Sequence, residues 1–352
     1  MTEVPNSHFT TLKGAYDVEL MEATLKVRRY DPATKRARFD VFTVTIPTTA
    51  TVLDALDEIK ETRDGTLSYR KSCRMAVCGS CGMRVDGGAA LACKVPMKKF
   101  VDAGHTITVS PMGNLPVIKD LVVDMTPFWD KIRAVKPYLD TTDVEVPAKE
   151  WLVNPSHGEL IHKESLCIMC GCCVSECISM EEDPDFLGPA ALAKAYRFVG
   201  DSRDSDTRER LRDLNGEHGI WDCTRCYFCN QRCPKNVDPR DAIAKLGAES
   251  FKEGFTGDPG AKHAKVFVDS TYKGGYLRET ELVPKTIGPI NAIKELPFAL
   301  QLARAGKVPN PLNPHKAKDN EEVKRLWKLL ETEAKGQPRR ATALHPDAVQ
   351  EG

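Results

Sequence analysis

Alternating apolar and polar positions predict a β-hairpin over residues 20–46. The apolar residues on both sides of the turn DPATKR are mostly β-branched or aromatic: Leu25, Val27, Tyr30, Phe39, Val41, Phe42, Val44 and Ile46. The next segment, TVLDALDEIKE, has apolar residues at helical spacing and predicts a short amphipathic helix. A second hairpin is expected to turn at Asp86-Gly87-Gly88, and HTITV at 105–109 alternates like a closing strand. These elements predict a small α+β domain.

Helical spacing dominates the remainder of the chain. The segment LPVIKDLVVDMTPFWDKIRAV, from Leu115, predicts a helix that connects two domains. Pro189 and the pair Asp238-Pro239 are expected to begin two further helices. After residue 254, INAIKELPFALQLARA and NEEVKRLWKLLETEA predict amphipathic helices. Their apolar faces pack either on the protein's own core or on a partner, and the sequence leaves both open.

The charge balance excludes a general attraction to nucleic acid or to an anionic membrane. The chain of 352 residues has 50 Lys and Arg against 50 Asp and Glu. No apolar run approaches the ~18 residues of a membrane span, and the first residues do not resemble a secretory signal. Thirteen cysteines, an odd number crowded into CxxC-type runs, indicate metal ligation rather than disulfides. A reducing, cytoplasmic location is therefore expected.

The first cysteine group has the spacing C-x4-C-x2-C followed by a distant fourth cysteine. This is the spacing of plant-type [2Fe–2S] sites, and its members are Cys73, Cys78, Cys81 and Cys93. Gly79 and Gly82 allow the loop to close around a cluster. A structural zinc site is the alternative, although such sites favour two separated C-x2–4-C pairs.

The other two groups are near copies with the spacing C-x2-C-x2-C-x3-C. In two-cluster bacterial ferredoxins the fourth cysteine of each run binds the other run's cluster. That rule predicts one [4Fe–4S] cluster on Cys167, Cys170, Cys173 and Cys233. It predicts another on Cys177, Cys223, Cys226 and Cys229. Cys172 is then left over, and we interpret it as a packed thiol; zinc again is a minor alternative.

The cysteine groups suggest a division of the chain into five segments. These are a tail at 1–18, a plant-type [2Fe–2S] ferredoxin domain at 19–114, a connecting helix and loop at 115–150, an α-helical two-cluster ferredoxin domain at 151–253 and an extension at 254–352. No nucleotide-binding glycine motif and no nucleophile signature accompanies them. Any flavin, nicotinamide or substrate site is therefore expected on another chain.

Long runs around these cysteines resemble the iron–sulfur subunit of succinate dehydrogenases and fumarate reductases. The resemblance covers about residues 20–250. It includes RKSCRMAVCGSCGMRV, LPVIKDLVVDM, the stretch beginning at Phe186 and CPKNVDP. It implies a β-grasp [2Fe–2S] domain followed by an α-helical ferredoxin-like domain. It also implies a FAD-bearing flavoprotein partner near the first cluster and a quinone-reactive membrane or membrane-associated partner beyond the third. The complex would lie peripherally on the inner face of the cell membrane.

The sequence departs from that family at several positions. Most members lack a cysteine at the position of Cys226 and hold a [3Fe–4S] cluster, whereas here a [4Fe–4S] cluster is favoured. Ile178, Glu182 and Thr224 replace the residues that help to form the family's quinone pocket. These departures and the long extension resemble a subgroup whose membrane partner is cysteine-rich and similar to heterodisulfide reductase.

The resemblance makes electron transfer within a succinate:quinone oxidoreductase or fumarate reductase the expected function. No substrate would be converted on this chain itself. The alternative is the iron–sulfur subunit of a thiol-linked or heterodisulfide-reductase-like fumarate reductase.

Overall fold

A computed structural model of the protein describes residues 19–143, 147–307 and 318–336. These residues divide into two compact units. The first comprises the chain up to Tyr138 together with Ile161–Phe198 and Cys223–Ile243, and the second comprises the rest. All thirteen cysteines belong to the first unit. The predicted tail at 1–18 lies outside the described residues.

The first unit contains a mixed five-stranded sheet in the order β2-β1-β5-β3-β4. Its strands are β1 Leu20–Asp31, β2 Arg36–Pro47, β3 Gly82–Val85, β4 Gly88–Leu91 and β5 Ile107–Ser110. β1 pairs antiparallel with β2, and Leu25 lies opposite Ile107 in its parallel pairing with β5. Both predicted hairpins are confirmed, and the predicted closing strand lies in the middle of the sheet.

Helix α1 (Val52–Thr62) confirms the predicted amphipathic helix and completes the core of this domain. The Thr51 hydroxyl accepts a hydrogen bond from the Asp54 N–H, and the Asp54 carboxylate accepts one from the Thr51 N–H. The apolar face of α1 is fully buried with the inward side chains of the strands. A short helix α2 (Lys98–Val101) precedes β5.

The helix predicted from Leu115 is wrong over its first half. Residues 117–123 form a small hairpin of β6 (Val117–Lys119) and β7 (Val122–Val123), and helix α3 begins only at Thr126 and ends at Ala134. The reason is the buried Asp120, which adopts a φ of 50° in the turn. Its carboxylate accepts hydrogen bonds from Arg29 Nε at 3.0 Å, from the Tyr30 N–H at 3.1 Å and from the Ser68 N–H at 2.9 Å. These long-range bonds outweigh the local helical spacing.

Short helices surround the other two cysteine runs. They are α4 Pro155–Ser165, α5 Cys172–Ser175, α6 Ile178–Glu182, α7 Gly188–Val199, α8 Thr207–Leu214, α9 Phe228–Arg232 and α10 Pro239–Lys252. α7 and α10 confirm the helices predicted at Pro189 and Pro239. Each run has the same local plan: a loop with the first two cysteines leads into a short helix, α5 or α9, which contains the third.

The C-terminal part of the second unit contains helices and short connecting turns in its described residues. Its helices are α11 Pro259–Gly274, α12 Glu279–Ile287, α13 Pro289–Lys294, α14 Leu296–Arg304 and α15 Asn320–Gly336. The first predicted amphipathic helix is divided at Glu295, just before Pro297, and α15 confirms the second. Among the described residues, no helix has the length and apolarity needed to cross a membrane.

Candidate metal centre

The loop that contains Cys73, Cys78 and Cys81 directs its backbone N–H groups at sulfur atoms. Cys73 Sγ accepts from the N–H groups of Met75, Val77 and Cys78 at 3.3–3.4 Å. The Ala76 N–H donates to Cys93 Sγ at 3.2 Å, which brings the distant fourth cysteine to the loop. The Ser80 hydroxyl, with backbone N–H groups, lowers the pKa of Cys78 to about 6. Such donors stabilise thiolates, the form that binds iron.

A buried carboxylate on α1 holds the start of this loop. Asp57 is 5% exposed and accepts a hydrogen bond from Lys71 Nζ at 2.9 Å. The hydroxyl of Tyr69 and the guanidinium of Arg74 also donate to it. Lys71 and Arg74 flank Cys73, so Asp57 pairs with two cations beside the predicted [2Fe–2S] ligands.

We expect Asp57→Asn to destabilise this loop and to raise the reduction potential of the [2Fe–2S] centre. The amide removes the carboxylate that pairs with Lys71 and Arg74, and positive charge near a cluster favours its reduced form. The free energy of unfolding should fall by about 1–3 kcal/mol, less than for a fully buried ion pair because Lys71 and Arg74 are partly exposed. Redox titration followed by electron paramagnetic resonance (EPR) and thermal unfolding measure the two effects.

Glu61→Gln is the matched control for this prediction. It removes the same charge from the same helix, α1, at an exposed position. Equal potentials and equal unfolding midpoints in the two variants would contradict the role of Asp57.

Eight of the other nine cysteines line two separate cavities. The first, here called the Cys167 cavity, is lined by four cysteines: Cys167, Cys170, Cys173 and Cys233. The second, the Cys223 cavity, is lined by another four: Cys177, Cys223, Cys226 and Cys229. These are the two sets that the spacing predicts, with the fourth cysteine of each run in the other run's cavity. Ligation itself stays a prediction.

The two loops also share an unusual backbone conformation. In the first run, Met169 and Gly171, on either side of Cys170, have φ values of 53° and 80°. In the second run, Arg225 and Tyr227, on either side of Cys226, have values of 58° and 68°. Alternating left-handed residues turn successive N–H groups inward and form concavities that bind anionic groups, including iron–sulfur clusters. Cys226 therefore occupies the same local geometry as Cys170.

The spacing of the sulfur atoms bears on the choice between a cluster and zinc. A zinc ion with Zn–S bonds of about 2.3 Å holds its four sulfurs about 3.8 Å apart. Within the part of the chain that the structure describes, which includes every cysteine, no three cysteine sulfurs all lie within 4.8 Å of one another. The wider spacing suits a cluster, in which each iron has its own terminal ligands.

The [2Fe–2S] loop lies directly against the first run. A Cβ atom built on Gly79, whose φ is 77°, would be 2.8 Å from Cys170 Cβ and 3.0 Å from Cys170 Cα. Hydrogen bonds reinforce this contact, because Arg84 Nε donates to Glu176 Oε1 at 2.7 Å and Lys94 Nζ to the Pro234 carbonyl at 3.2 Å. The absence of a side chain at Gly79 thus permits the close approach of two cysteine loops.

Cys172 lines neither cavity. It is fully buried in the hydrophobic core of the sheet domain, which agrees with its interpretation as a packed thiol. Its thiol hydrogen-bonds with Cys170, and this contact lowers the pKa of Cys170 to about 7. Cys172 therefore hydrogen-bonds with a predicted ligand but does not itself line the cavity.

Two residues at these sites were not identified from the sequence. Asp57 lies on the helix before the loop that it holds, and its place among the buried, mostly apolar residues of α1 was the only signal. Arg240 lines the Cys223 cavity and places its guanidinium carbon 4.5 Å from the centre of the Tyr227 ring. An arginine shortly after the last cysteine matches no sequence motif, so its place at this site could not be predicted.

Comparisons with known proteins agree with this geometry. Family models for a 2Fe-2S iron-sulfur cluster binding domain and a 4Fe-4S dicluster domain match residues 24–130 and 164–237. The fumarate reductase iron-sulfur subunit of Escherichia coli O157:H7 is 39% identical over 236 residues, which is 67% of this chain and 96% of that protein. The succinate dehydrogenase iron-sulfur subunit of Coxiella burnetii is 36% identical over 239 residues, 67% of this chain and 100% of that protein. The chain belongs to the family of succinate dehydrogenase and fumarate reductase iron–sulfur subunits.

Two further relatives extend the comparison. The 8-methylmenaquinol:fumarate reductase iron-sulfur subunit of Wolinella succinogenes is 36% identical over 285 residues, 78% of this chain and 88% of that protein. The solved structure of the Mycobacterium smegmatis Sdh1 complex in the apo form superposes with a TM-score of 0.61 at 23% identity, over 67% of this chain and 98% of that one. At that identity the superposition shows the fold alone.

Membership of this family establishes the general function. The chain is an electron-transfer subunit of an oxidoreductase complex, with a [2Fe–2S] domain followed by a helical dicluster domain. The expected β-grasp and ferredoxin-like architecture is confirmed. The thiol-linked alternative is not favoured by these relatives, and the heterodisulfide-reductase-like subgroup is not confirmed by them.

Proposed function

We propose that this subunit holds three clusters and relays single electrons between a FAD-bearing flavoprotein and a quinone-reactive subunit in or on the membrane. The [2Fe–2S] cluster belongs to residues 19–114, and two [4Fe–4S] clusters belong to residues 151–253. The complex lies on the inner face of the cell membrane. When bound, the clusters supply the one-electron carriers, and the residues of this chain hold them, shield them and set their spacing.

The observation that carries this proposal is the grouping of eight cysteines into two cavities of four. Each cavity takes three cysteines from one run and one from the other. A cubane cluster needs four thiolates at its corners, and the number and exchange of cysteines match that need. The sulfur spacing, too wide for tetrahedral zinc, supports the same conclusion.

The order of the sites suggests the route of the electrons. The contact of Gly79 with Cys170 joins the [2Fe–2S] loop to the Cys167 cavity. The exchange of Cys177 and Cys233 joins that cavity to the Cys223 cavity. Because electron transfer weakens steeply with distance, a linear path through the three sites is the most direct one.

The [2Fe–2S] loop offers an apolar surface for the flavoprotein. Met75 and Val77 are 71% and 55% exposed at its tip, next to the exposed Cys78. The neighbouring cations Lys71 and Arg74 are paired with Asp57, so they are less available to a partner. Exposed apolar side chains beside a predicted redox centre favour protein docking there.

A quinone-reactive partner is supported by the name of the Wolinella relative, an 8-methylmenaquinol:fumarate reductase subunit. Its alignment covers more of this chain than residues 1–253 contain, so it extends beyond the dicluster domain.

Anaerobic purification of the complex tests the proposal. We expect a brown protein with about ten iron atoms per copy of this chain, from clusters of two, four and four irons, and no stoichiometric zinc. A flavoprotein and a membrane-associated subunit should co-purify, and the preparation should interconvert succinate and fumarate. A colourless, zinc-containing chain without these partners would refute it.

Variants of the exchanged cysteines test the ligand sets in the same preparation. Cys233→Ser should abolish the EPR signal of the centre at Cys167, and Cys177→Ser should alter the centre at Cys223. Cys172→Ser is the control, because Cys172 lines neither cavity, and all three signals should persist in it. Loss of a cluster in that control would show that the assignment is wrong.

A further inference from the structure

An arginine lies at the edge of the Cys223 cavity, at the start of α10. Its side chain is 21% exposed, and its Nη1 donates to Asp241 Oδ1 at 2.9 Å. Its guanidinium carbon is 4.5 Å from the centre of the Tyr227 ring, within the range of a cation–π interaction. Arg240 is thus a mostly buried cation on the wall of this cavity.

One nitrogen of this guanidinium is left without a partner. Arg240 Nε is buried, and no hydrogen-bond acceptor for it occurs among the residues that the structure describes. A buried N–H group on a cation is costly to leave unpaired, so native proteins almost always provide an acceptor. A donor of this kind on the wall of a predicted cluster site points to an acceptor that belongs to the cluster.

The surrounding residues hold the guanidinium in position. Asn230 Oδ1 accepts from the backbone N–H of Arg240 at 2.9 Å, and Asn230 Nδ2 donates to Asp241 Oδ2 at 3.1 Å. Tyr227 presents its ring to Arg240 from a left-handed backbone conformation, with a φ of 68°. Both Asn230 and Tyr227 belong to the second cysteine run, so the same segment carries three of the cavity's cysteines and positions the arginine.

We propose that Arg240 sets the reduction potential of the third centre by donating its Nε–H to a sulfur atom of the cluster. This inference rests on the proposed ligand set of Cys177, Cys223, Cys226 and Cys229. The acceptor is a cysteine thiolate or an inorganic sulfide, both of which are anionic.

The consequence for electron transfer follows from charge. Reduction adds an electron to the cluster, and a neighbouring cation with a charge-assisted hydrogen bond stabilises the reduced state more than the oxidised one. Arg240 therefore raises the potential of the third centre. Donors around a metal site commonly tune its potential in this way.

The experiment compares variants in the anaerobically purified complex. The potential of the third centre is measured by redox titration followed by EPR, with the iron content measured on the same samples. We expect Arg240→Gln to shift that potential downward with no loss of iron. Arg240→Lys, which keeps the charge but loses the planar N–H, should give a smaller downward shift.

Lys252→Gln is the matched control. It removes one positive charge from the same helix, α10, but Lys252 is exposed, so its charge is screened by water. Its removal should shift the potential much less than Arg240→Gln does. Equal shifts in the two variants, or an unchanged potential in Arg240→Gln, would overturn the proposal.

Iron content separates this proposal from the assignment on which it rests. If the wild-type complex lacks iron at the third site, the proposed ligand set fails. If Arg240→Gln alone loses iron, the potential of Arg240→Lys decides: a downward shift supports the hydrogen bond, and a wild-type value refutes it.

Discussion

Replacement of Cys226 by alanine is expected to convert the third centre from [4Fe–4S] to [3Fe–4S]. Each corner iron of a cubane needs a terminal ligand, and Cys226 is one of the four cysteines that line this cavity. Freshly prepared anaerobic wild type should show no oxidised [3Fe–4S] signal by EPR. The variant should show that signal, with about one iron atom fewer per chain.

Cys170→Ala is the matched variant in the other run. Cys170 and Cys226 occupy equivalent positions with the same left-handed neighbours, so loss of either should affect only its own centre. The assignment of Cys226 would be wrong if the wild type already showed a full [3Fe–4S] signal that Cys226→Ala did not change.

A single methyl group at Gly79 should separate the first two redox sites. In Gly79→Ala the new Cβ meets the Cβ and Cα atoms of Cys170 at 2.8 and 3.0 Å, and neither atom is the end of a flexible side chain. The loop must therefore move or fail to close around its cluster. We expect lower [2Fe–2S] occupancy and slower reduction of the centre at Cys167, measured by iron analysis and by freeze-quench EPR.

Gly87→Ala controls for backbone strain in this experiment. Gly87 has a φ of 78°, almost the same as at Gly79, but a Cβ there meets nothing within 4 Å. The left-handed conformation alone should cost this control about 1–2 kcal/mol of unfolding free energy. If both variants kept all their iron and transferred electrons equally fast, the contact with Cys170 would have no functional importance.

Local patterns were sufficient to predict most of the fold. The β1–β2 hairpin follows from the alternation of apolar and polar residues, and α1 follows from apolar residues at helical spacing. The helices at Pro189 and Pro239 were predicted from the prolines at which they begin. The segment from Leu115 was predicted wrongly because its structure depends on distant residues. Asp120 binds Arg29, Tyr30 and Ser68, and no window of local sequence contains these partners.

In the candidate site, too, some residues could be predicted from the local sequence, whereas others depend on tertiary packing. Cysteine spacing carries the ligand sets, since each cluster type imposes its own loop length. The groups that adjust the sites are placed by tertiary packing. Asp57 reaches the [2Fe–2S] loop from α1, and Arg240 reaches its cavity from α10. Neither residue type is distinctive at such a distance from a cysteine, so only the structure reveals them.

The exchange of cysteines between the two runs has a consequence for biogenesis. The Cys167 cavity is incomplete until Cys233 has been synthesised, and the Cys223 cavity joins Cys177 to three cysteines of the second run. A nascent chain that has reached residue 222 has five cysteines of the first run exposed to the cell but no complete four-cysteine pocket among them. Loading of these two sites therefore waits until the second run has been synthesised, whereas the [2Fe–2S] loop and Cys93 emerge from the ribosome early enough to be loaded separately.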